Sequence, residues 1–358
     1  MLRILFYIST ISSGGAARVM TNIANVLSAR GYDCTLATTF KAEEEYVLDF
    51  KVKRISFFNK KPSGNPLWNN YRIIKKLREL VVKDKPDLLV SFLAEPCFRA
   101  AIATIGTSTK TVISVRNDPN WEFKGIIRKL LAKYLFRRVD GIVFQTQEAK
   151  EWFPKCIQDK GCIILNSVKN DFYEVQLPEE RMGIVATGRL SKQKNHSLLI
   201  RAYAKISDLV IDDLTIYGAG NPNRLHEQAK QLGIEDRVHL PGQTRDVINT
   251  IKNARLYVMS SDFEGMPNAL MEAMAMGLPC ISTDCPCGGP RALFSKEMSR
   301  YLTPVGDVDA MSERMLEILS DIKKLNAHGK RCKNAANVFK PDVINKEWAD
   351  FLLKIQAR

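Results

Sequence analysis

Short apolar runs alternate with amphipathic stretches along most of this chain, and that alternation restricts the possible folds more than any other feature. The first half contains strand-like runs such as ILFYIST, CTLATTF, LLVSFLA, TVISVRN and GIVFQTQ, with helix-like stretches such as YRIIKKLRELVVK between them. The second half repeats this order through GIVATGRL, LTIYGAG, RVHLPGQ, ARLYVMSS and PCISTDC. Alternating strands and helices are typical of parallel sheets that helices cover on both faces. We therefore expect an α/β protein with two Rossmann-like domains, whose parallel sheets face each other across a cleft.

The length of 358 residues also favours two domains, because a single core of this size is uncommon. A polar stretch rich in turn-forming residues, NSVKNDFYEVQLPEERMG, separates the two halves of the pattern. We place the N-terminal domain at residues 1–176 and the C-terminal domain at residues 177–340. Apolar residues at helical spacing predict a closing helix over residues 341–358, with Pro341 in its first turn.

The chain carries a formal net charge of +14, with 53 Lys and Arg against 39 Asp and Glu. Such an excess implies an anionic partner, whether phosphate groups, acidic lipid or nucleic acid. The cations crowd the N-terminal domain, in one group over residues 72–85 and a second over residues 128–138. No nucleic-acid-binding module and no interleaved basic and aromatic strand is recognisable, which disfavours a nucleic-acid-binding protein.

The second basic group lies in the segment GIIRKLLAKYLFRRVDG, whose apolar residues recur at helical spacing opposite the cations. These apolar residues are Ile126, Ile127, Leu130, Leu131, Tyr134 and Leu135. One interpretation is a core-facing helix with a solvated polar face. The other is a surface that rests on anionic lipid, where each basic residue contributes about 1 kcal/mol. The two interpretations are compatible.

The first residues, MLRILFYISTISSGG, contain an apolar run of about six residues, whereas a membrane span needs about twenty. The run lacks the small-residue cleavage site of a secretory signal, and we interpret it as a strand. The eight cysteines are scattered, and the closest group, Cys280, Cys285 and Cys287, has no second pair at zinc-ligand spacing. We expect structural or incidental thiols in a cytoplasmic protein.

Two glycines, Gly14 and Gly15, follow the first predicted strand and open a predicted helix. Their backbone amides can approach a bound anion closely. A tight turn without a ligand would look the same, and the spacing is not the full GxGxxG of a dinucleotide fold.

Arg189 and Lys194 follow the first strand of the C-terminal domain, in the segment TGRLSKQKN. Ligands of doubly wound sheets bind beyond the carboxyl ends of the strands. Two cations in that position can neutralise the diphosphate that leaves when a sugar is transferred from a nucleotide. A solvated basic loop is the alternative. The two cations indicate a diphosphate site only in combination with the next motif.

The segment SSDFEGMPNALMEAMAMGLP is the most informative in the chain. Gly265 and Pro267 predict a tight connection into a helix over residues 268–276, which the following glycine and proline end. The N-terminus of this helix, at Met266 to Asn268, offers unpaired amides and a partial positive charge to a phosphate.

Two glutamates accompany this helix. Glu272 lies one turn into it and is placed to accept hydrogen bonds from a ribose diol. Glu264 lies in the loop before it, on the side where the transferred sugar would be. The alternative is a surface helix residue at 272 and a loop cap at 264. The presence of Gly265, Pro267 and the two cations makes that alternative the weaker one.

With these motifs the sequence resembles glycosyltransferase family 4 across nearly its whole length. The resemblance rests on EGMPNALME, GRLSKQKN, the YGAG turn at residues 217–220, RVHLPGQ and GGAARV. The glutamate pair with its neighbours is specific to the group, whereas the first-turn glycines are not. The family builds bacterial polysaccharides and glycolipids, so the resemblance implies a GT-B fold and a retaining, metal-independent hexosyltransferase. It implies a nucleotide sugar, usually a UDP-sugar, as donor substrate and no cofactor.

The resemblance also implies roles for individual residues. Arg189 and Lys194 would bind the diphosphate, Glu264 the hydroxyls of the donor sugar, and Glu272 the ribose. The remaining donor-binding residues would be Gly15 near the sugar phosphate, Gly218 in the YGAG turn, Gly242 near the base, and Gly265, Met266, Pro267 and Asn268 before the helix. The acceptor would bind the N-terminal domain, and the closing helix would pack back toward that domain.

One departure from the family concerns catalysis. Many relatives carry a histidine after a strand of the N-terminal domain, facing the donor sugar, whereas TVISVRNDP offers Arg116 and Asn117. We expect Arg116 or Asn117 to take that place, so that the catalytic residues would be Glu264 and one of these two. The alternative is that Asp118 caps a turn and Arg116 is a structural ion-pair partner.

Asp262 and Glu264 resemble a DxE metal motif, but their position in a loop fits contact with the sugar better. We therefore expect no bound metal and no requirement for Mg²⁺ or Mn²⁺.

The function expected is transfer of a hexose or N-acetylhexosamine to a polyprenyl-diphosphate-linked or polysaccharide acceptor in cell-envelope, capsule or exopolysaccharide synthesis. The basic N-terminal domain favours a peripheral contact with anionic membrane at the inner face of the cell membrane. The alternative is a soluble transferase of the same fold that acts on a small sugar or sugar phosphate, with the positive charge serving acceptor phosphates.

Overall fold

The computed structural model describes residues 1–12 and 14–358, which divide into two compact units. The first unit comprises Met1–Ser167 together with Asp342–Arg358, and the second comprises Val168–Pro341. Residues 168–176, which we assigned to the N-terminal domain, therefore lie in the second unit. The closing helix belongs to the first unit from Asp342 onward.

The first unit is built on a parallel sheet. Its strands are β1 (Arg3–Ile8), β2 (Asp33–Phe40), β3 (Lys53–Phe58), β4 (Leu88–Phe92), β5 (Lys110–Ser114), β6 (Gly141–Phe144) and β7 (Gly161–Ile163). Its helices are α1 (Gly15–Ala29), α2 (Pro66–Asp84), α3 (Ala94–Ala103), α4 (Pro119–Glu122), α5 (Ile126–Leu135), α6 (Gln147–Glu151) and α7 (Lys155–Gln158). Within the described residues the strand order is β3-β2-β1-β4-β5-β6-β7, with every neighbouring pair parallel.

Burial explains why these segments pair as strands. Every residue of β4 and β6 is buried, as expected for a parallel sheet that helices cover on both faces. The side chain of Asn65 accepts hydrogen bonds from the N–H groups of Leu67 and Trp68 and so begins α2, with Pro66 in its first position.

The second unit contains a second parallel sheet. Its strands are β8 (Ile184–Thr187), β9 (Leu214–Tyr217), β10 (Val238–Gly242), β11 (Leu256–Met259), β12 (Cys280–Thr283) and β13 (Leu302–Thr303). Its helices are α8 (Asp171–Glu174), α9 (His196–Ala204), α10 (Asn223–Gln231), α11 (Val247–Ile251), α12 (Asn268–Met276), α13 (Gly289–Leu293), α14 (Val308–Leu319) and α15 (Ile322–Ala335). Short 3-10 helices occur at Lys192–Lys194, Ser207–Leu209, Glu235–Arg237, Lys296–Tyr301 and Ala336–Phe339. In the part of the chain that the structure describes, the strand order is β10-β9-β8-β11-β12-β13.

The last helix, α16 (Pro341–Ala357), packs on the sheet of the first unit. All residues of this helix except Pro341 belong to that unit. The ring of Trp348 lies 5.4 Å from that of Phe92 in β4. A β-carbon on Gly141 in β6 would lie 3.0 Å from side-chain atoms of Phe351 and Ile355. The helix therefore packs tightly on this sheet.

The strand order places a topological switch point in each sheet. In the second unit the chain moves from β8 outward to β9 and β10, then returns to β11 on the other side of β8. The loops after β8 and β11 therefore diverge and leave a crevice beyond the carboxyl ends of the strands, where ligands of doubly wound sheets bind. The loops that follow β1 and β4 occupy the same place in the first unit.

The burial of helix α5 contradicts one of the two interpretations of its sequence, the core-facing helix. Ile126, Ile127, Leu130, Leu131 and Tyr134 are exposed, and the buried residues of this helix are Ala132 and Leu135. A core-facing apolar stripe is therefore wrong for all the predicted residues but Leu135. Among residues 1–12 and 14–358, no helix combines the length and apolar character needed to cross a membrane.

Candidate active site

Two glycine-rich turns of the second unit are in direct backbone contact. The N–H of Gly188, after β8, donates to the carbonyl oxygen of Tyr217 at 2.9 Å, and the N–H of Leu190 donates to that of Ala219 at 2.8 Å. A β-carbon on Gly218 would lie 1.9 Å from the carbonyl oxygen of Gly188. Only glycine fits at 218, which gives the YGAG turn a physical reason.

The loop between β8 and α9 is fixed to the loop between β11 and α12. Asn195 donates from Nδ2 to Oδ1 of Asp262 at 2.6 Å, while its own Oδ1 caps α9 by accepting from Leu198 N–H. The N–H of Asp262 donates to the carbonyl oxygen of Gln193 at 2.8 Å, and Ser260 Oγ donates to that of Lys194 at 3.0 Å. The Asp262 carboxylate therefore holds the two switch-point loops together.

Lys194 and Glu264 form an ion pair at this switch point. Lys194 Nζ lies 2.6 Å from Glu264 Oε1, and the two side chains are only 17% and 10% exposed. Ser261 Oγ donates to the same carboxylate oxygen at 2.8 Å. The structure thus brings together two residues to which the sequence assigned separate roles, because a carboxylate this buried requires a cation and hydrogen bonds nearby.

The backbone around Glu264 packs against the loop that follows β12. Its N–H donates to the carbonyl oxygen of Pro286 at 3.0 Å, and its own carbonyl oxygen accepts from Cys287 N–H at 3.3 Å. A β-carbon on Gly289 would lie 1.7 Å from the carbonyl oxygen of Gly265. Gly289 is a site residue that the sequence motifs did not reveal, although the paired glycines in CPCGGP were a signal for it.

Helix α12 begins beside this pair. Pro267, the residue before it, provides no side-chain cap, and the left-handed Gly277 ends it at φ 92°. Met266 and Pro267 are buried, and Asn268 is partly exposed at the first position of the helix. An N-terminus of this kind carries a partial positive charge that favours an anion.

Glu272 lies inside α12 and is 6% exposed, so the alternative of a surface helix residue is wrong. Burial raises the pKa of Tyr257 above its usual value, and the negative charge of Glu272 also raises it. Tyr257 Oη lies 3.0 Å from Thr187 Oγ1 at the end of β8. Glu272 therefore belongs to the polar surroundings of β8 and β11 rather than to the solvated surface.

His196, the first residue of α9, is a further site neighbour that the motifs did not single out. Its Nε2 lies 3.2 Å from the carbonyl oxygen of Gly188. Burial, with the positive charge of Lys194 as a smaller cause, lowers the pKa of His196 to about 4. The imidazole is therefore neutral at physiological pH and donates to that carbonyl from Nε2.

The other donor-site residues of the second unit lie at the same sheet edge. Arg189 is exposed in the loop after β8. Gly242, at the end of β10 with φ 90°, accepts through its carbonyl oxygen from the N–H of Gly218 at 2.9 Å. Arg189, Lys194, Gly218 and Gly242 therefore end or follow strands at one edge of the sheet, and Glu272 lies in the helix after β11.

The remaining predicted residues, Gly15, Arg116 and Asn117, belong to the first unit. Gly15 is the first residue of α1, and Gly14 before it has φ 94°. The side chain of Asn117 accepts a hydrogen bond from Asp118 N–H at 2.9 Å.

Arg116 is buried at the carboxyl end of β5. Its guanidinium donates to Asn166 Oδ1 and to Ser114 Oγ and lies 4.7 Å from the ring centre of Phe92. Burial lowers the pKa of Arg116 to about 9, which leaves it charged at neutral pH. Asp118 caps α4 by accepting from Asn120 N–H at 2.9 Å. The Asp118 cap matches the structural alternative that we stated, whereas Arg116 contacts neutral side chains and not the ion-pair partner that the alternative named.

The cysteines and the acidic residues were the other candidate ligands. The eight cysteines are all free thiols, and burial, with the negative charge of Glu264 as a smaller cause, raises the pKa of Cys285 to about 12. Among the described residues, 1–12 and 14–358, no group of three or more His, Cys, Asp or Glu could hold a metal ion.

Comparison with known proteins gives the class of the chain. The family model "Glycosyltransferase Family 4" matches residues 13–171, and "Glycosyl transferases group 1" matches residues 167–335. An uncharacterised glycosyltransferase of Methanocaldococcus jannaschii is 30% identical over 277 residues, which are 69% of this chain and 68% of the relative.

Two further similarities cover the full length of the chain. The N-acetylgalactosamine-N,N'-diacetylbacillosaminyl-diphospho-undecaprenol 4-alpha-N-acetylgalactosaminyltransferase of Campylobacter jejuni is 27% identical, over 99% of this chain and 100% of the relative. The crystal structure of Anabaena HepE in complex with UDP-glucose superposes with a TM-score of 0.81 at 19% identity, covering 99% of this chain and 100% of HepE. The two doubly wound sheets and these matches define a glycosyltransferase with the GT-B fold, as the sequence predicted. The chain belongs to glycosyltransferase family 4.

Proposed function

We propose that this glycosyltransferase moves a hexose or N-acetylhexosamine from a UDP-sugar, with retention of anomeric configuration, to a polyprenyl-diphosphate-linked acceptor in envelope, capsule or exopolysaccharide synthesis. The observation that carries the proposal is the Lys194–Glu264 pair, 2.6 Å apart beside the N-terminus of α12 at a switch point. Such an arrangement combines positive charge for a diphosphate with a carboxylate for sugar hydroxyls.

The donor diphosphate would lie among three sources of positive charge. These are the exposed Arg189, the ammonium of Lys194 and the amino end of α12. As the glycosidic bond breaks, negative charge grows on the leaving phosphate oxygens, and groups that are already oriented toward that charge stabilise it. Because protein groups supply this charge, the reaction would need neither a metal ion nor a cofactor.

The two glutamates would hold the two sugars of the donor. Glu272 would accept hydrogen bonds from the ribose hydroxyls, and Glu264 would accept them from hydroxyls of the transferred sugar. The ion pair with Lys194 holds the Glu264 carboxylate in position before the donor arrives. The main chain near Gly242 would line the base. The UDP and UDP-glucose complexes of HepE, a protein with the same fold, support a uridine donor.

The acceptor assignment is supported by charge and by relatives. The net charge of +14 suits an acceptor that carries phosphate and lies at an anionic membrane. The C. jejuni relative is named for an acceptor linked to undecaprenol through a diphosphate. We accordingly place the protein at the inner face of the cell membrane, as a peripheral protein.

The first experiment is a panel of nucleotide sugars tested for thermal stabilisation. A ligand at about 100 times its dissociation constant stabilises the folded protein by about 2.7 kcal/mol. A UDP-sugar should give the largest shift, and the shift should survive EDTA. If no nucleotide sugar stabilises the protein, the donor assignment is wrong.

The second experiment uses the best donor in a transfer assay. The product from a polyprenyl-diphosphate-linked acceptor should carry the anomeric configuration of the donor, which NMR coupling constants report. Glu264→Ala should lower kcat by more than about tenfold while nucleotide affinity changes little. Equal turnover of small sugar phosphates would replace the lipid-linked acceptor with the soluble alternative, and an inverted product would exclude retention.

A further inference from the structure

Helix α5 of the first unit presents an exposed apolar face. The exposed fractions are 74% for Ile126, 78% for Ile127, 62% for Leu130, 38% for Leu131 and 63% for Tyr134. At 3.6 residues per turn these five residues lie within an arc of about 140° of the helix. Contiguous apolar surface of this kind marks an interaction site rather than scattered surface residues.

The opposite side of α5 explains why this face is not turned inward. Ala132 and Leu135 are buried, and the following Phe136 packs in a cluster of aromatic rings. Its ring centre lies 5.5 Å from that of Phe98 and 5.7 Å from that of Phe123. The helix is thus fixed by one side and by its C-terminal end, so its exposed face cannot rotate into the core.

Positive charges lie along one edge of the apolar face and beyond both ends of the helix, and one of them, Arg128, pairs with Glu95 at 2.8 Å. Residues 121–138 contain six cations, which are Lys124, Arg128, Lys129, Lys133, Arg137 and Arg138, against the single carboxylate of Glu122. On a helical projection, Lys129 and Lys133 adjoin the edge that Ile126 forms. Trp121, exposed just before the helix, lies under the ammonium of Lys124, with Nζ 5.3 Å from the ring centre.

We propose that α5, together with Trp121, docks on an anionic phospholipid surface. Its apolar face would enter the boundary between headgroups and acyl chains, and its cations would contact lipid phosphates. A second copy of the chain fits this surface less well, because a twofold contact would bring the same six cations of both copies together. The inference deepens the proposed peripheral membrane contact and rests on the proposed function only for its biological purpose.

The test is co-sedimentation of the full chain with vesicles, in the absence of donor and acceptor. Vesicles of equal parts phosphatidylglycerol and phosphatidylcholine should bind the protein, and phosphatidylcholine alone should bind it weakly. Ile127→Ser with Leu130→Ser should lower binding by more than about tenfold. The matched control is Leu209→Ser with Ile211→Ser, two exposed apolar residues of the second unit, and it should bind as the wild type does.

A charge series completes the test. Lys124→Gln with Lys129→Gln should lower binding by about fivefold for each residue, whereas Lys230→Gln with Lys323→Gln, on exposed positions of the second unit, should not. Equal losses in test and control variants, or no loss in Ile127→Ser with Leu130→Ser, would overturn the proposal. The proposal would also be overturned if the wild type forms a dimer that the substitutions Ile127→Ser and Leu130→Ser disrupt, while vesicle binding stays unchanged.

Stabilisation by UDP-sugars serves as the independent readout of folding and of the donor site. It should be the same in the α5 variants as in the wild type. Vesicle binding without any stabilisation by nucleotide sugars would leave the α5 surface standing and remove the proposed function. Stabilisation by nucleotide sugars without vesicle binding would leave the proposed donor site standing and remove the α5 surface.

Discussion

Lys194 Nζ lies 2.6 Å from Glu264 Oε1. This contact joins the loops that follow β8 and β11, the two neighbouring strands between which the strand order of the second sheet reverses. The two residues are 70 positions apart in the sequence. Their charges compensate each other before any donor is bound, so a diphosphate meets a site in which the negative charge of the carboxylate is already balanced by a cation. The pair is therefore both a structural link and the centre of the proposed chemistry.

Breaking this pair from either side should cost stability. Lys194→Met leaves the Glu264 carboxylate largely buried without its cation, and the free energy of unfolding should fall on the order of 3 kcal/mol. Glu264→Gln should cost less, since the amide oxygen can still accept from Ser261. Urea unfolding should show that the double variant loses less than the sum of the single losses. Strictly additive losses would mean that the contact carries no coupling energy.

Gly218 offers a test of the turn geometry. Gly218→Ala places a methyl group 1.9 Å from the carbonyl oxygen of Gly188, so the loop that carries Arg189 must move. We expect a loss of more than about 3 kcal/mol in unfolding free energy and a weaker response to nucleotide sugars.

The control is Gly106→Ala, where φ is positive at 72° and no atom lies within 4 Å of the new β-carbon. Its cost should be near 1 kcal/mol, from backbone strain alone. A Gly218→Ala protein as stable as the control would contradict the close approach of the two turns.

Much of the fold could be predicted from sequence because parallel strands are continuous apolar runs. The three strands that the apolar runs did not reveal lack that signal. Strand β3 begins with Lys53 and Arg54 and is only partly buried, while β7 and β13 have three and two residues. Their pairing depends on neighbours far away in sequence rather than on local pattern.

The sequence predicted a candidate site at one sheet edge but did not reveal the contacts there. The motifs located the sheet edge, since glycines, cations and glutamates follow strand ends. The direct pairing of Lys194 with Glu264, the link from Asn195 to Asp262 and the close approach of Gly289 to Gly265 are long-range contacts. The exposure of the apolar face of α5 was also hidden, because helical spacing shows which residues share a face but not what covers it.

His196 should make the second unit sensitive to acid. Its pKa is lowered by burial to about 4 in the folded state and lies near 6.5 when unfolded, so between these values the unfolded chain binds more protons. Stability is then full above about pH 6.5 and is lost as the pH falls toward 4, by about 3 kcal/mol at most. His196→Gln should remove this part of the pH dependence. If the urea midpoint falls equally from pH 7.5 to pH 5 in the wild type and in His196→Gln, this role of His196 is excluded.

Arg116→Met separates a structural from a catalytic role. The guanidinium is engaged by Asn166 and Ser114 and stacks on Phe92, so its loss should lower the free energy of unfolding by about 2 kcal/mol. With the fully folded variant at low temperature, kcat should stay within about tenfold of the wild type. A much larger fall in kcat at unchanged stability would restore the catalytic assignment.

Equilibrium binding of UDP to the wild type and to Glu272→Ala tests most directly whether the second unit holds a nucleotide by its diphosphate and ribose. We predict that calorimetry detects UDP binding to the wild type in EDTA, and that Glu272→Ala weakens it by about tenfold or more, the loss of a hydrogen bond to a charged group. Equal affinities in the two proteins, or a wild type that binds UDP only with added metal, would contradict this metal-independent nucleotide site.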